Sequence, residues 1–183
     1  ERADPSGLEI AKRLIAGVRR DDSTRPVTNA LCAFWDHKDR PWTDTDAPFA
    51  LLDVGGYNYQ WKEYEKDHER FPRRVMAGTE TTTLDVFDNW SLVEKLPYVI
   101  GDFVWTGLDY LGESGLGRAF VEGEEPGEFT APWPWHIAGS GDIDILGHRK
   151  PQSYYREAMW RPGVLAVAVH RPLPEGKKEK VMM

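Results

Sequence analysis

Four short apolar runs, each parted from the next by a polar stretch, constrain this chain more than any other feature. They are PVTNAL (26–31), LLDVGGYNY (51–59), RRVMAG (73–78, running on into Thr79, Glu80 and Thr81) and YVIGDFVW (98–105). Within each run apolar residues are nearly continuous rather than alternating, the pattern of strands buried on both faces. The stretches between are a loop rich in Pro, Asp, Thr and Trp at 35–48 and helix-compatible segments at 61–71 and 88–96, the last stopped by Pro97. Strands alternating with helices predict an α/β fold, a parallel sheet covered by helices.

Both flanks extend this pattern. Leu8, Ala11, Leu14, Ile15 and Val18 recur at three- and four-residue steps, which predicts a helix at the start. Asp4 is placed to cap it, Pro5 suits its first turn, and Arg19 and Arg20 suit its C-terminal end. Beyond the fourth run, a long loop rich in Gly, Glu, Pro and Trp spans 107–147, followed by a helix at 152–160 entered through Pro151. The apolar run VLAVAV (164–169) and a charged tail close the sequence. No Gly-rich phosphate fingerprint follows the first strand, which argues against a dinucleotide fold.

Composition narrows the partners. The net charge is −7, and only a short basic run at 177–180 interrupts the acidic balance, so neither a nucleic-acid backbone nor a membrane is an expected partner. No apolar run approaches the roughly 18 residues of a membrane span. Five scattered histidines lack ligand spacing, so no metal site and no cofactor is expected. The single cysteine, Cys32, lies among Ala30, Leu31, Ala33 and Phe34 and reads as a small hydrophobe, leaving either redox compartment open. Eight Trp and seven Tyr supply flat rings with a polar edge, suited to cores, interfaces and ligand pockets alike.

In a (β/α)-barrel, chemistry gathers at the C-terminal ends of the strands. One carboxylate, Glu80, stands directly at such an end, between threonines; as a pattern it is also compatible with a solvated loop carboxylate. Asn58 and Tyr59 end the preceding strand. Tyr59 is in place either to hydrogen-bond Glu80 or to serve as an ordinary rim tyrosine. Trp105 ends the next strand, as the floor of a sugar subsite or as a rim aromatic. Asp109 is read as an anchor for the long loop in preference to a lining of the site, Asp142 and Asp144 as a loop buttress rather than a metal site, and His136 as a loop-packing residue in preference to a substrate contact. No Gly-X-Ser-X-Gly elbow is present, against a serine hydrolase.

The stretches DPSGLEIAKRLIAGVRRDDSTRPVTNAL, VGGYNY, VMAGTETT, YVIGDFVWTGLDYLGESG and GDIDILGHRKPQSYYREAMW together resemble glycoside hydrolase family 2, the family of β-galactosidases, β-glucuronidases and β-mannosidases, and most closely its β-galactosidase-like members. The resemblance implies a retaining exo-β-glycosidase on a (β/α)8 barrel, acting on a carbohydrate substrate. Glu80 matches the family's nucleophile, Tyr59 the tyrosine that hydrogen-bonds it, and Trp105 the tryptophan that packs against the sugar. Asn58 and Thr83 fall where members contact sugar hydroxyls. The acid/base glutamate, part of an Asn-Glu pair, has no match here, and its position would lie just upstream of Glu1. The Asn-X-Lys motif by which β-glucuronidases grip the substrate carboxylate is also missing from AGSGDIDILGHRK, which lowers glucuronidase relative to galactosidase.

A complete barrel takes about 250 residues and eight units. Four units in 183 residues correspond to the C-terminal half of such a barrel, strands five to eight, over residues 1–162, with 163–183 a linker or the start of a following domain. The expectation is therefore a segment of a longer protein, inactive alone, whose partner is the remainder of its own chain: the first barrel half and flanking β domains. The alternatives are a β-glucuronidase or β-mannosidase of the same family, or a carbohydrate-binding or structural barrel without chemistry.

Overall fold

In a computed structural model, residues 4–124 and 131–181 are described, and the chain divides into two compact units, Glu1–Val104 and Trp105–Met183. The first begins with helix α1 (Pro5–Asp21), whose Asp4 side chain accepts the Ser6 amide at 2.7 Å, with Pro5 opening the helix. This satisfies one of the free amides at the helix start and fixes where the helix begins. Strand β1 (Thr28–Leu31) follows. The stretch read as loop at 35–48 instead holds a 3-10 turn, Trp42–Thr45, and a one-turn helix, α2 (Asp46–Phe49). Such short turns carry no apolar period, so the sequence could not announce them.

Strands β2 (Val54–Asn58), β3 (Val75–Thr81) and β4 (Val99–Val104) alternate with α3 (Tyr64–Arg70) and α4 (Val86–Lys95). The 3-10 turns Trp61–Glu63 and Thr83–Asp85 lead into these two helices. The four strands form one parallel sheet in the order β1-β2-β3-β4, the mixed α/β arrangement that the alternation predicts. Strands β1, β2 and β4 are shorter than their apolar runs, because the flanking residues turn into loops, whereas β3 continues past RRVMAG to Thr81. All four strands run the same way, so Leu31, Asn58, Thr81 and Val104 end at one edge of the sheet.

The core of this unit lies on the helix-covered face: Leu31, Phe49, Tyr57, Tyr64, Met76, Leu96 and Val99. Two strand glycines are set by close approach. A Cβ at Gly56 would run into the Asn29 carbonyl oxygen and lie 2.7 Å from Thr79 Cγ2. One at Gly78 would strike the Asp102 carboxylate and come within 3.0 Å of Tyr64 Oη.

Beneath β2 a buried carboxylate gathers four donors. Asp67 is 1% exposed and accepts Trp42 Nε1 at 3.0 Å, Tyr57 Oη at 2.9 Å, Arg70 Nη1 at 2.9 Å and Arg74 Nη1 at 3.0 Å. Arg74 also lies over the rings of Phe49 and Phe71, at 4.4 and 4.1 Å. Its guanidinium is thereby sandwiched between apolar faces while its charge is met by Asp67. Burial holds the Tyr57 and Tyr64 phenols well above the ordinary tyrosine range, so both stay neutral, and Tyr57 donates to Asp67.

The second unit holds two small antiparallel pairs: β5 (Tyr110–Leu111) with β7 (Ile137–Ala138), and β6 (Ala119–Val121) with β8 (Glu179–Val181). The long loop expected at 107–147 thus contains short ladders, and its residues 125–130 lie outside the described residues. Helix α5 (Pro151–Trp160) carries a fully buried Arg156, paired with Asp142 at 2.7 Å. Asp109 accepts the Gly141 amide at 2.7 Å and Lys150 Nζ at 2.9 Å, tying distant parts of the loop together. Asp144 accepts the Leu146 and His148 amides at 2.9 and 2.8 Å, the geometry of a loop buttress. The run 164–169 forms no helix or strand, and Leu165, Val167 and Val169 are exposed. Among the described residues no helix is long and apolar enough to cross a membrane.

Replacing Asp67 with Ala takes the carboxylate from Arg74, whose side chain is nearly buried, and from the Tyr57 phenol, while the more exposed Arg70 keeps Asp46. We expect a loss of about 3–5 kcal/mol in unfolding free energy, read from urea denaturation, because the Arg74 charge is left buried without its counter-ion.

Candidate active site at the strand ends

The parallel sheet brings the C-terminal ends of β2 and β3 side by side, and there Asn58, Tyr59 and Glu80 meet. Tyr59 Oη donates to Glu80 Oε1 at 2.7 Å, and Asn58 Nδ2 donates to Glu80 Oε2. The two oxygens of one carboxylate are therefore each held by a separate donor. Thr79 Oγ1 donates to Asn58 Oδ1 at 2.7 Å, which turns the amide so that its NH2 group faces Glu80. The backbone joins in: Tyr59 N–H donates to the Glu80 carbonyl at 2.8 Å.

This convergence requires a break in strand regularity. In a plain strand, neighbouring side chains point to opposite faces, so Thr79 and Glu80 could not both address Asn58. The β2–β3 register slips between Tyr57 and Asn58, so that Tyr57 pairs with Gly78 but Asn58 pairs with Glu80. The β3–β4 register also shifts between Gly78 and Thr81. This bulge turns consecutive residues of β3 toward one side chain of β2. Tyr59 takes φ +57°, the left-handed region that a bulky residue adopts only at a cost. That turn ends β2 and redirects the ring, so that Asn58 and Tyr59, adjacent in sequence, both reach Glu80. Backbone strain of this kind concentrates where a particular side-chain direction is needed.

Thr83 lies three residues past Glu80, in the turn that leads into α4, and is partly buried. Trp105 follows directly on β4 and opens the second unit, where its ring packs edge-on against Tyr110 with centroids 6.3 Å apart. Asp102, within β4, accepts Thr81 Oγ1 and belongs to the internal bonding of the sheet. His136 stacks on Trp133 at 6.1 Å.

One neighbour of the site went unnoticed in the sequence. Trp35, four residues beyond the end of β1, sets its ring 5.8 Å from that of Tyr59 at an interplanar angle of 43°. The sequence offered one sign of it, a tryptophan placed just after a strand end, but nothing in a single strand shows which neighbour such a ring will meet.

Comparison with known proteins finds likenesses to members of one family. A solved glycosyl hydrolase family 2 member from Bacteroides cellulosilyticus DSM 14838 is 33% identical to this chain, with a TM-score of 0.67 over 88% of this chain and 18% of that one. Another solved family 2 member, from Bacteroides cellulosilyticus, is 31% identical with a TM-score of 0.73 over 96% of this chain and 22% of that one. These likenesses support glycoside hydrolase family 2. A curated Formosa agariphila protein, whose name places it provisionally among the β-glucuronidases, is 27% identical over 78% of this chain and 15% of its own length. The chain thus spans about a fifth or less of the length of these relatives. No protein-family model matches the chain.

The Asn58–Glu80 contact can be tested by charge. Asn58→Asp puts a second carboxylate against the first and removes a donor to a charged group, at a cost of about 1.5–3 kcal/mol at neutral pH. Two like charges in contact favour proton uptake by the folded state, so stability falls as pH rises through the carboxylate range. Denaturation of the variant at pH 4 and pH 7 is expected to show the smaller deficit at pH 4.

Proposed function

We propose that this chain is the C-terminal half of the catalytic barrel of a retaining exo-β-glycosidase, with Glu80 as nucleophile. The observation that carries the reading is the doubly held carboxylate. Both Glu80 oxygens accept hydrogen bonds from neutral donors, Tyr59 and Asn58, at the strand edge where barrel chemistry gathers. A glycosidase nucleophile has to be presented in one orientation, one oxygen toward the anomeric carbon, while its charge is steadied until the bond forms. A hydroxyl and an amide accomplish this without a cation that would neutralise the nucleophile.

In this mechanism Glu80 attacks the anomeric carbon and forms a glycosyl-enzyme as the leaving oxygen takes a proton from a second carboxyl group. Water, deprotonated by that second group, then releases the sugar with retained configuration. The two carboxyl groups of a retaining enzyme stand about 5–5.5 Å apart. The acid/base belongs, in this reading, to the strand preceding β1, outside this chain. Asn58, Thr83 and Trp105 are assigned to the sugar: amide and hydroxyl to its hydroxyls, indole to its apolar face.

Open faces support the assignment to half a barrel, strands five to eight over residues 1–162, with 163–183 a linker or the beginning of another domain. Ile10, Leu14 and Val18 form an exposed apolar stripe on α1, Thr28, Asn29 and Ala30 of β1 are exposed, and Ile100 and Phe103 protrude from β4 at 63% and 66% exposure. Closing strands and helices from the rest of a barrel would cover these faces on both sides of the sheet. The remainder of the parent chain is thus the proposed partner.

We assign the substrate as a terminal β-galactoside, because the loop 138–150 lacks the Asn-X-Lys pattern of the β-glucuronidases. A β-glucuronide is the second reading, favoured by the name of the Formosa agariphila relative.

Treating the full-length protein with 2-deoxy-2-fluoro-β-galactosyl fluoride, then mapping the modified peptide by mass spectrometry, is expected to place the label on Glu80. A label on a different carboxylate overturns the nucleophile, and a label only with the glucuronyl analogue moves the substrate to the second reading. In the same protein Tyr59→Phe should lower kcat/KM by roughly 10- to 100-fold, the value of a hydrogen bond to a charged group. The isolated 183-residue chain should show no turnover, and measurable hydrolysis by it would contradict the missing acid/base.

A further inference from the structure

We propose that Trp35 forms a platform for the leaving group, selecting substrates whose aglycone carries a ring with a flat apolar face, aryl or sugar. This inference rests on the reading of Glu80 as nucleophile and extends it to the other side of the scissile bond.

Trp35 is 58% exposed although it is large and mostly apolar. Its exposure follows from how the loop is pinned. Its neighbour Phe34 is buried at 7%, with Arg40 stacked 5.1 Å over its ring. Two successive turns, His37 N–H to the Phe34 carbonyl at 3.1 Å and Arg40 N–H to the His37 carbonyl at 3.0 Å, fix the backbone around it. With Phe34 facing in, Trp35 faces out. Its indole is held against Tyr59, whose hydroxyl is on Glu80. An exposed ring one aromatic contact away from the candidate nucleophile is the kind of surface that stacks on another ring.

The direction follows from strand order. Glu80 is on β3, Trp105 comes after β4, and Trp35 comes after β1, so the two tryptophans belong to strands on opposite sides of β3 in the sheet. In the proposed barrel, the strand before β1 carries the acid/base, and the leaving oxygen must lie beside that group. Trp35, on the strand next to it, is therefore placed toward the leaving group rather than toward the sugar being transferred.

The test compares Trp35→Ala and Trp35→Phe with the unaltered full-length protein on three substrates sharing one glycone: the 2-deoxy-2-fluoro glycosyl fluoride, a 4-nitrophenyl glycoside and a disaccharide. The fluoride has no ring beyond the scissile bond. Labelling of Glu80 by it therefore reports what the contact of Trp35 with Tyr59 contributes by itself, and should fall by much less than turnover of the ring-bearing substrates. For the ring-bearing substrates Trp35→Ala should lose about tenfold in kcat/KM, with Trp35→Phe retaining most of it. A loss confined to the aryl glycoside or to the disaccharide supports the platform and names its aglycone class. Equal losses on all three substrates, or no loss on any, overturn it. If the unaltered protein is not labelled at Glu80, the nucleophile assignment fails first and this inference with it.

Discussion

The common direction of β1 to β4 is the constraint on which the remaining structure depends. A parallel sheet sends every strand's C-terminal end to one edge, and its ladder holds those ends at fixed spacing. Asn58 and Glu80 come from segments separated by helix α3, yet the register sets them opposite one another. Glu80 would otherwise be an ordinary loop carboxylate.

Two polar clusters divide the labour within the first unit. On the helix-covered side, Asp67 collects Trp42, Tyr57, Arg70 and Arg74 and ties α3 to β2 and to the turn before α2. At the strand edge, Glu80 is held by Asn58 and Tyr59. Tyr57, Asn58 and Tyr59 are consecutive in sequence and serve both clusters, Tyr57 inward to Asp67 and its two neighbours to Glu80. Alternation along the strand separates Tyr57 from Asn58, whereas the left-handed turn at Tyr59 places that ring with Asn58. The two clusters are therefore joined through a three-residue stretch, 57–59.

The second unit is built differently. Its ladders are two or three residues long and contribute little by themselves. Buried ion pairs between the loop and its closing segment hold it instead, Asp109 with Lys150 and Asp142 with Arg156. Such pairs add geometric definition to a long loop that also buries Leu116, Phe120, Ala131 and Ala138.

The helix that begins at Pro5, the strand runs and the α/β alternation were legible because each follows from local physics: a cap, a 3.6-residue period or an unbroken apolar run. Asp109, Asp142 and Asp144 were legible as anchors from their place in a Gly-rich loop. The sequence by itself determined which residues stand at the strand ends, since a parallel sheet leaves no choice of edge. Only the tertiary structure decided that Asn58 and Tyr59 hold opposite oxygens of Glu80, that Asp67 is buried among four donors, and that Trp35 meets Tyr59. Those contacts depend on a register slip, a positive φ and a pinned loop. Each is set by non-local packing, which no run of neighbouring residues encodes.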